Sequence, residues 1–489
     1  MISPSSVAIT LCGAAGGEVT GSGYLVHTPR ATVLVDFGFF QGRHDADTLN
    51  ASIAPVDPAR LDAVVLTHAH LDHIGRLPLL ARAGYRGPIH ATAATADLTA
   101  IMLEDAAKVA EQDAQRENRH RTERHAAAPE PPAVPLYTHD NVALLGPLMR
   151  PIRLNQRREI APGVSVRFFE AGHILGSASI EMQIAGTERD QQSKVDGPSS
   201  ITTILFSGDI GQRSAPILCD PITPAVQPRP DLIFLESTYG DRDHRSQADS
   251  VEEFREVLKT AVWDKRRILI PAFAVGRTQT VLYHIAAARR EGVIPEIPVY
   301  LDSPLADRAT SIYARHQDLY DQETGRLAEA RVLEEQLSRL RVLKTVAESR
   351  ALNDSWEPCI IIAGSGMCEG GRIVHHLRHS VWRRNVSVIL TGYQAQGTLG
   401  RRLADRAREV FIFGDRVPVR AGIHTIGGFS AHAGQTQLIE WMMNVASDPR
   451  PKVALTHGED PQRAALAAKL RARYGIEALR PAIGESLAI

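Results

Sequence analysis

The run His68-Ala69-His70-Leu71-Asp72-His73 constrains this chain more than any other feature, because three imidazoles and a carboxylate crowd into one short stretch. The apolar segment Ala63-Val64-Val65-Leu66 stands immediately before it. A buried strand therefore ends here and delivers the polar side chains at its exit. Residues two apart on extended chain point the same way, so His68 and His70 can share one metal. Asp72 and His73 then turn off at the start of a helix and can face a second. Zinc takes histidine nitrogen and carboxylate oxygen in catalytic sites that keep one position open for water.

At 489 residues the chain exceeds one ordinary core and implies roughly two or three units. Its 44% hydrophobic and 23% charged residues are those of a globular protein. The formal net charge of -1 gives no bulk attraction for a polyanion, so nucleic-acid binding would need a local basic groove. Cys12, Cys219, Cys359 and Cys368 are scattered without a CxxC pair, and read as buried free thiols of a reducing compartment. There is no run of about twenty apolar residues and no basic start leading into an apolar core. The expectation is a cytoplasmic protein that makes no contact with membranes.

The first part reads as short strands separated by glycine turns: Ser6 to Cys12, Gly23 to His27 and Ala31 to Asp36. Residues 96 to 125 read as a helix, densely charged from Glu111 onward, and its charged stretch around 104 to 125 is best placed facing solvent near an active-site mouth. The prolines of Ala126 to Pro135 break it. Strands resume at Val164 to Phe169, Ser179 to Ile184 and Ile201 to Phe206, with Glu188 to Ser200 as a hairpin loop. From about residue 241, apolar strands alternate with helices: Arg267 to Phe273, Ile297 to Leu301, Cys359 to Ala363, Val386 to Thr391 and Glu409 to Phe413. That alternation implies a parallel sheet covered on both faces. Near Val417 the sequence becomes strand-rich again, and Val453-Ala454-Leu455-Thr456 leads into His457. The division drawn is 1–240, 241–416 and 417–489, with the outer two parts closing one domain.

Asp36, His173 and Asp209 each follow an apolar strand and are flanked by glycine, which lets backbone approach closely. In this order the chain resembles the metallo-β-lactamase fold, in its β-CASP branch of nucleic-acid-processing hydrolases. Asp36 matches the first motif, His68 to His73 the second, His173 the third and Asp209 the fourth. Glu236 in Glu236-Ser237-Thr238-Tyr239-Gly240 matches motif A, His432 in Phe429-Ser430-Ala431-His432 motif B, and His457 in Thr456-His457-Gly458-Glu459 motif C. The match covers nearly the whole chain. It is similar to the endonuclease subunit of the pre-mRNA 3′-end cleavage factor and its compact prokaryotic counterparts.

The resemblance implies an α/β protein, an αββα metallo-β-lactamase sandwich with an inserted β-CASP parallel-sheet domain. It also implies two zinc ions (two Zn2+). One would take His68, His70 and His173, the other Asp72, His73 and His457, with Asp209 bridging. Asp36 would orient a ligand histidine, and His432, aimed by Glu236, would protonate the leaving ribose oxygen. The substrate would be RNA, cut to 5′-phosphate and 3′-hydroxyl ends, since RNA-processing members carry histidine at motif C where the DNA nucleases carry valine. The inserted domain would supply the other wall of the substrate cleft, with Arg277, Ser365, Gly366, Arg372 and Ser430 as candidate contacts. Ala363-Gly364-Ser365-Gly366 could cradle a phosphate or form an ordinary tight turn. The basic run from Arg372 through His375, His376, Arg378, His379, Arg383 and Arg384 could line a groove or be a solvated helix face. Tyr393 could stack a base or be buried. The rival readings are a 5′-exoribonuclease, a DNA nuclease, a small-molecule metallo-hydrolase and a non-catalytic RNA-binding scaffold. Absence of a KH extension and of the ribonuclease J C-terminal domain favours the compact endonuclease. A homodimer is compatible with the chain, and no motif supports it.

Overall fold

Short strands, apolar on both faces at the centre of each sheet and polar at the edges, build the first unit as two stacked sheets. β1 (Ala8–Gly13), β2 (Gly23–His27), β3 (Thr32–Val35), β4 (Ala63–Val65), β5 (Ile89–Ala91) and β6 (Met149–Pro151) form one of them. β7 (Arg158–Ala161), β8 (Val164–Glu170), β9 (Ala178–Ala185), β10 (Ile201–Phe206) and β11 (Leu232–Glu236) belong to the other. Successive side chains of a strand point to opposite faces. Val33, Val35, Ala63 and Val65 accordingly pack between the sheets against Phe168, Ile180, Phe206 and Phe234. Leu34, Val64 and Leu66 point the other way, into a core shared with Leu77, Leu80, Leu98 and Leu103 of the covering helices. The computed structural model describes residues 7–123, 131–186, 201–329, 335, 339–392, 394–445 and 450–489. Of the loop expected at Ala126 to Pro135, residues 126–130 lie outside the described residues and 131–135 form neither helix nor strand. The expected loop at 188–200 and Tyr393 also lie outside the described residues.

The second unit is a parallel sheet. Its strands are β12 (Arg267–Pro271), β13 (Val299–Asp302), β14 (Arg341–Val342), β15 (Ile360–Ala363), β16 (Val386–Leu390) and, after the hairpin β17 (Glu409–Ile412) and β18 (Asp415–Pro418), β19 (Gly422–Thr425). The order is β14-β13-β15-β12-β16-β19, with every pair parallel. Ile268, Ile270, Ile360 and Ile362 face one helical layer, and Leu269 and Ile361 the other. Two details depart from expectation. Glu409 to Phe413 pairs antiparallel with β18 instead of joining the sheet, leaving Phe411 and Phe413 exposed. β19 lies past residue 416, so this sheet reaches further along the chain than the strand-rich sequence at Val417 implied.

The chain then returns to the first unit. β20 (Lys452–Thr456) pairs parallel with β11, and β21 (Ser486–Ala488) pairs antiparallel with β1, giving sheets of six and seven strands. Among the described residues no helix is long and apolar enough to cross a membrane. Cys12, Cys359 and Cys368 are buried thiols as expected, whereas Cys219 is exposed.

Contacts between helices and loops lock the units together. The helix Ala93–Glu123 lies against the helix Pro304–Arg315, where Asp97 takes Arg315 and His316, each at 3.0 Å, and Glu104 takes Arg308. The helix therefore braces the second unit along its first half, through residues up to Glu104, while most of the charged residues from Glu111 onward are exposed or half-buried. Tyr313 reaches across, and its hydroxyl accepts the Leu175 N–H at 3.2 Å. Tyr313→Phe leaves that buried donor unpaired, which should cost about 1–3 kcal/mol. Chemical denaturation and hydrogen exchange at Leu175 measure it; an unchanged midpoint with unchanged exchange would show that the bond contributes nothing.

Candidate metal centre and active site

Most of the candidate site residues come just after strands of the sandwich. Asp36 follows β3, His68 follows β4, His173 follows β8, Asp209 follows β10 and His457 follows β20. Asp72 and His73 lie on the short helix Leu71–Ile74. Backbone must pass closely to gather them: a Cβ on Gly38 would sit 1.5 Å from the Asp72 carbonyl oxygen. Asp36 and His457 stand at φ of 56° and 52°, a region that costs a side-chain-bearing residue on the order of 1–3 kcal/mol. Neighbouring backbone holds them there, through Asp36 N–H to Val65 O at 2.9 Å and His457 N–H to Ala14 O at 2.7 Å.

Two clusters result. His68 Nε2 and His173 Nε2 each lie 3.1 Å from His70 Nδ1, and 3.5 and 3.6 Å from Asp209 Oδ2. In the second cluster, His457 Nε2 is 3.2 Å from His73 Nε2 and 3.5 Å from Asp72 Oδ2. Asp209 Oδ1 is 3.5 Å from both of those imidazole nitrogens. Zinc–nitrogen bonds of about 2.0–2.1 Å in a tetrahedron separate ligand atoms by about 3.3 Å, so these spacings are those of donors around a shared cation. Asp209 Oδ1 is buried and accepts no hydrogen bond among the described residues, an arrangement that is costly unless a cation satisfies it. The donor set fits a divalent metal pair.

Supporting groups fix the imidazoles. Asp36 accepts the Thr67 N–H at 2.8 Å and hydroxyl at 2.7 Å, and its Oδ2 lies 2.8 Å from His73 Nδ1. His173 Nδ1 faces the Ala431 carbonyl and His457 Nδ1 the Thr238 hydroxyl, both at 3.1 Å. Each of these contacts leaves Nε2 for the cluster. Thr67, Thr238 and Ala431 were not singled out from sequence; a hydroxyl directly before His68 was the one visible signal.

Burial pushes His70 down to about 4 and takes His68 and His173 well below the usual histidine range. All three are thus neutral at pH 7, the form that binds metal. Burial opposes charge on His73 too, yet Asp209 and Asp36 hold it well above its ordinary value. Asp209 is buried as well, and His457, His73 and His68 outweigh that to keep its carboxyl well below the usual range.

His432 stands beside this centre, its ring centroid 4.5 Å from that of His173. Glu236, buried at the end of β11, accepts Ile210 N–H at 3.0 Å and Thr238 N–H at 3.1 Å, and its Oε1 is 3.2 Å from His432 Nδ1. Burial would lower His432, but the Glu236 carboxylate, with Asp209 and Asp72 behind it, raises it to about 9. Ser430 is buried and its hydroxyl accepts the His432 N–H at 3.3 Å, so it shapes this turn.

The substrate-contact candidates of the second unit divide sharply. Arg277 opens the helix Arg277–Arg290 beside Gly392, and its guanidinium makes no hydrogen bond or ion pair with any described residue; burial pushes it down to about 10. Arg372 is committed elsewhere, to Asp302 at 2.6 Å and to the Leu343 and Lys344 carbonyls. His376 is locked in the same buried network. The Ser365 hydroxyl accepts the Glu369 and Gly370 N–H groups, and Gly366 packs against Phe273, so this turn closes on itself instead of cradling a ligand. Arg378 pairs with Asp415, which further disperses the basic run read from sequence.

Residues 16–153 match the model of the metallo-beta-lactamase superfamily, 278–403 that of the Beta-Casp domain, and 416–481 that of the Zn-dependent metallo-hydrolase RNA specificity domain. Among curated relatives, Ribonuclease TTHA0252 of Thermus thermophilus is 37% identical over 479 residues, covering 97% of this chain and 98% of that one. The RNase J-like protein of Methanocaldococcus jannaschii is 30% identical, over 95% of this chain and 96% of its own. Transcription termination factor FttA of Methanosarcina mazei is 30% identical, over 94% of this chain and 68% of its own. A solved structure of a protein of unknown function from Enterococcus faecalis V583 shares the fold with a TM-score of 0.53 at 13% identity, over 99% and 100% of the two chains.

Because Asp36 holds His73 and Thr67 without joining either cluster, Asp36→Asn should weaken divalent-metal binding about 10–100-fold while leaving the fold intact. Competition with a chromophoric chelator, beside a circular dichroism spectrum, measures this. Unchanged affinity would remove Asp36 from the design of the centre.

Proposed function

The chain belongs to the β-CASP branch of the metallo-β-lactamase superfamily, and on that premise we propose that it uses two zinc ions to cut single-stranded RNA internally, leaving 5′-phosphate and 3′-hydroxyl ends. Asp209 carries this reading: one buried carboxylate offers an oxygen to each of two imidazole clusters. A bound metal pair supplies Lewis acidity towards a phosphodiester and a water of lowered pKa.

The chain's own residues account for the rest. His432 carries both ring protons at neutral pH, with Nδ1–H directed to Glu236 and Nε2–H left for the substrate. It donates that proton to the 3′ oxygen as the ribose leaves. Glu236, itself held by two backbone amides, keeps the ring charged and oriented. Arg277, with no side-chain partner among the described residues, receives a substrate phosphate from the facing wall. RNA is favoured over DNA by the names of the ribonuclease relatives and by histidine at position 457. Internal cleavage is favoured because the Ser365 turn, the first candidate for holding a terminal phosphate, commits the amides of Ser365, Cys368, Glu369 and Gly370 within itself.

End-labelled RNA and the matching DNA test this directly: internal cuts in RNA alone support the reading, and mononucleotides from the 5′ end would move it to an exonuclease. His432→Ala should cut ordinary RNA about 10²–10⁴-fold more slowly. On a linkage whose leaving 3′ oxygen is replaced by sulfur, a good leaving group without protonation, most of that loss should vanish. An equal loss on both linkages would exclude His432 as the proton donor. Glu236→Gln should shift the alkaline limb of the rate profile to lower pH, since Glu236 is the largest influence raising His432.

A further inference from the structure

Three of the chain's four tryptophans are exposed, at 68% for Trp263, 38% for Trp356 and 41% for Trp382. Each stands shortly before a strand of the parallel sheet: Trp263 before β12, Trp356 before β15 and Trp382 before β16. These strands are neighbours in the order β15-β12-β16 and run parallel. The three tryptophans therefore share the amino-terminal edge of the sheet. The metal centre faces the opposite edge, where Gly276, just past β12, packs on Ile174.

Cations interleave with the rings. The Arg383 guanidinium lies over both Trp356 and Trp382, 4.4 Å from the Trp382 centroid, and Arg267 lies over Trp356 at 5.0 Å. Lys265, Arg384 and Arg420 are exposed on the same edge and make no ion pair with any described residue. Arg420 is set beside Trp382 by its N–H to the Val381 carbonyl at 2.9 Å. Of the acids here, Asp264 is already taken by Arg266 at 2.8 Å, leaving Asp354 and Glu357. The edge is a local excess of positive charge on a chain of net charge -1.

We propose that this edge is a second binding surface for single-stranded RNA, on which bases stack against the tryptophans while Lys265, Arg384 and Arg420 meet phosphates. Aromatic platforms flanked by cations bind single strands in this way with little sequence preference. The proposal rests on the ribonuclease reading for its choice of polyanion. A second copy of this chain fits the surface poorly, because a two-fold interface would set the same cations against themselves. Long transcripts would thus be held at a point remote from the cut.

The fourth tryptophan, Trp441, is buried at 1% exposure, so tryptophan emission reports on this edge. A uridine 20-mer mixed by stopped flow with the metal-loaded protein should quench emission saturably, and Trp382→Ala should remove much of the effect. Lys265→Glu with Arg384→Glu, which touches no core residue, should weaken 20-mer binding about tenfold or more. It should also flatten the plot of log K against log salt by about 1.4, two phosphate contacts at roughly 0.7 each. Cleavage of a uridine hexamer should be unchanged in the double variant, while KM for the 20-mer rises. If the 20-mer is cut normally but emission does not respond, or responds identically in both variants, the surface is refuted and the nuclease reading stands. If no RNA is cut but quenching occurs and the variants abolish it, the nuclease reading falls and the surface stands. If the variants alter sedimentation mass without altering quenching, the edge is a protein interface and the proposal is overturned.

Discussion

The structure depends on one buried carboxylate that four imidazoles surround. Asp209 lies within 3.6 Å of His68, His173, His73 and His457 nitrogens. Desolvating such a group is expensive unless opposite charge meets it. The surrounding backbone is bent to that end. Asp36 and His457 occupy left-handed conformations, and Gly38 passes where no side chain fits. The two stacked sheets exist, in this sense, to hold strand exits at fixed separations, and their apolar interior provides the rigidity that strained exits require.

The second unit is tied to this arrangement more closely than a lid over a cleft would be. Its Tyr313 hydroxyl bonds the loop that carries His173, and Gly276 rests on Ile174 of the same loop. Arg277, which follows directly, sets its guanidinium beside Gly392 and pairs with no described residue. A shift of this unit relative to the sandwich therefore displaces a histidine of the first cluster along with the facing wall.

His68, His70, Asp72 and His73 were legible in the sequence because they crowd into one short motif at a strand exit. His173, Asp209 and His457 stand alone along the chain, and were drawn to the same centre only by the order of motifs that the family resemblance supplies. The sandwich and the parallel sheet were legible for a similar reason, since unbroken apolar runs admit few alternatives. Charged residues were not legible in this way. Arg372 and His376 looked like groove cations and are instead consumed by Asp302, more than seventy positions earlier in one case and close to that in the other. Glu104, at the head of the stretch read as solvent-facing, instead grips the second unit. A charge advertises its sign but not its partner, and the partner is set by tertiary contacts between distant segments. The strand at Glu409 shows the same limit for pairing: its apolar pattern was right, but its neighbour could not be read from it.

The order in which the ligands occur along the chain has its own consequence. His73 and His457 meet at 3.2 Å although 384 positions separate them, and the entire second unit is threaded between. A ribosome delivers a chain vectorially, and domains fold as they emerge. The imidazoles near residue 70 must therefore wait, as an incomplete half-site, until the inserted unit has been made and β20 has docked beside β11. A nascent chain still attached to its own messenger lacks one of the histidines of the second cluster for most of its synthesis. The insertion thus acts as a built-in delay, separating the birth of the polypeptide from the moment at which it can cut.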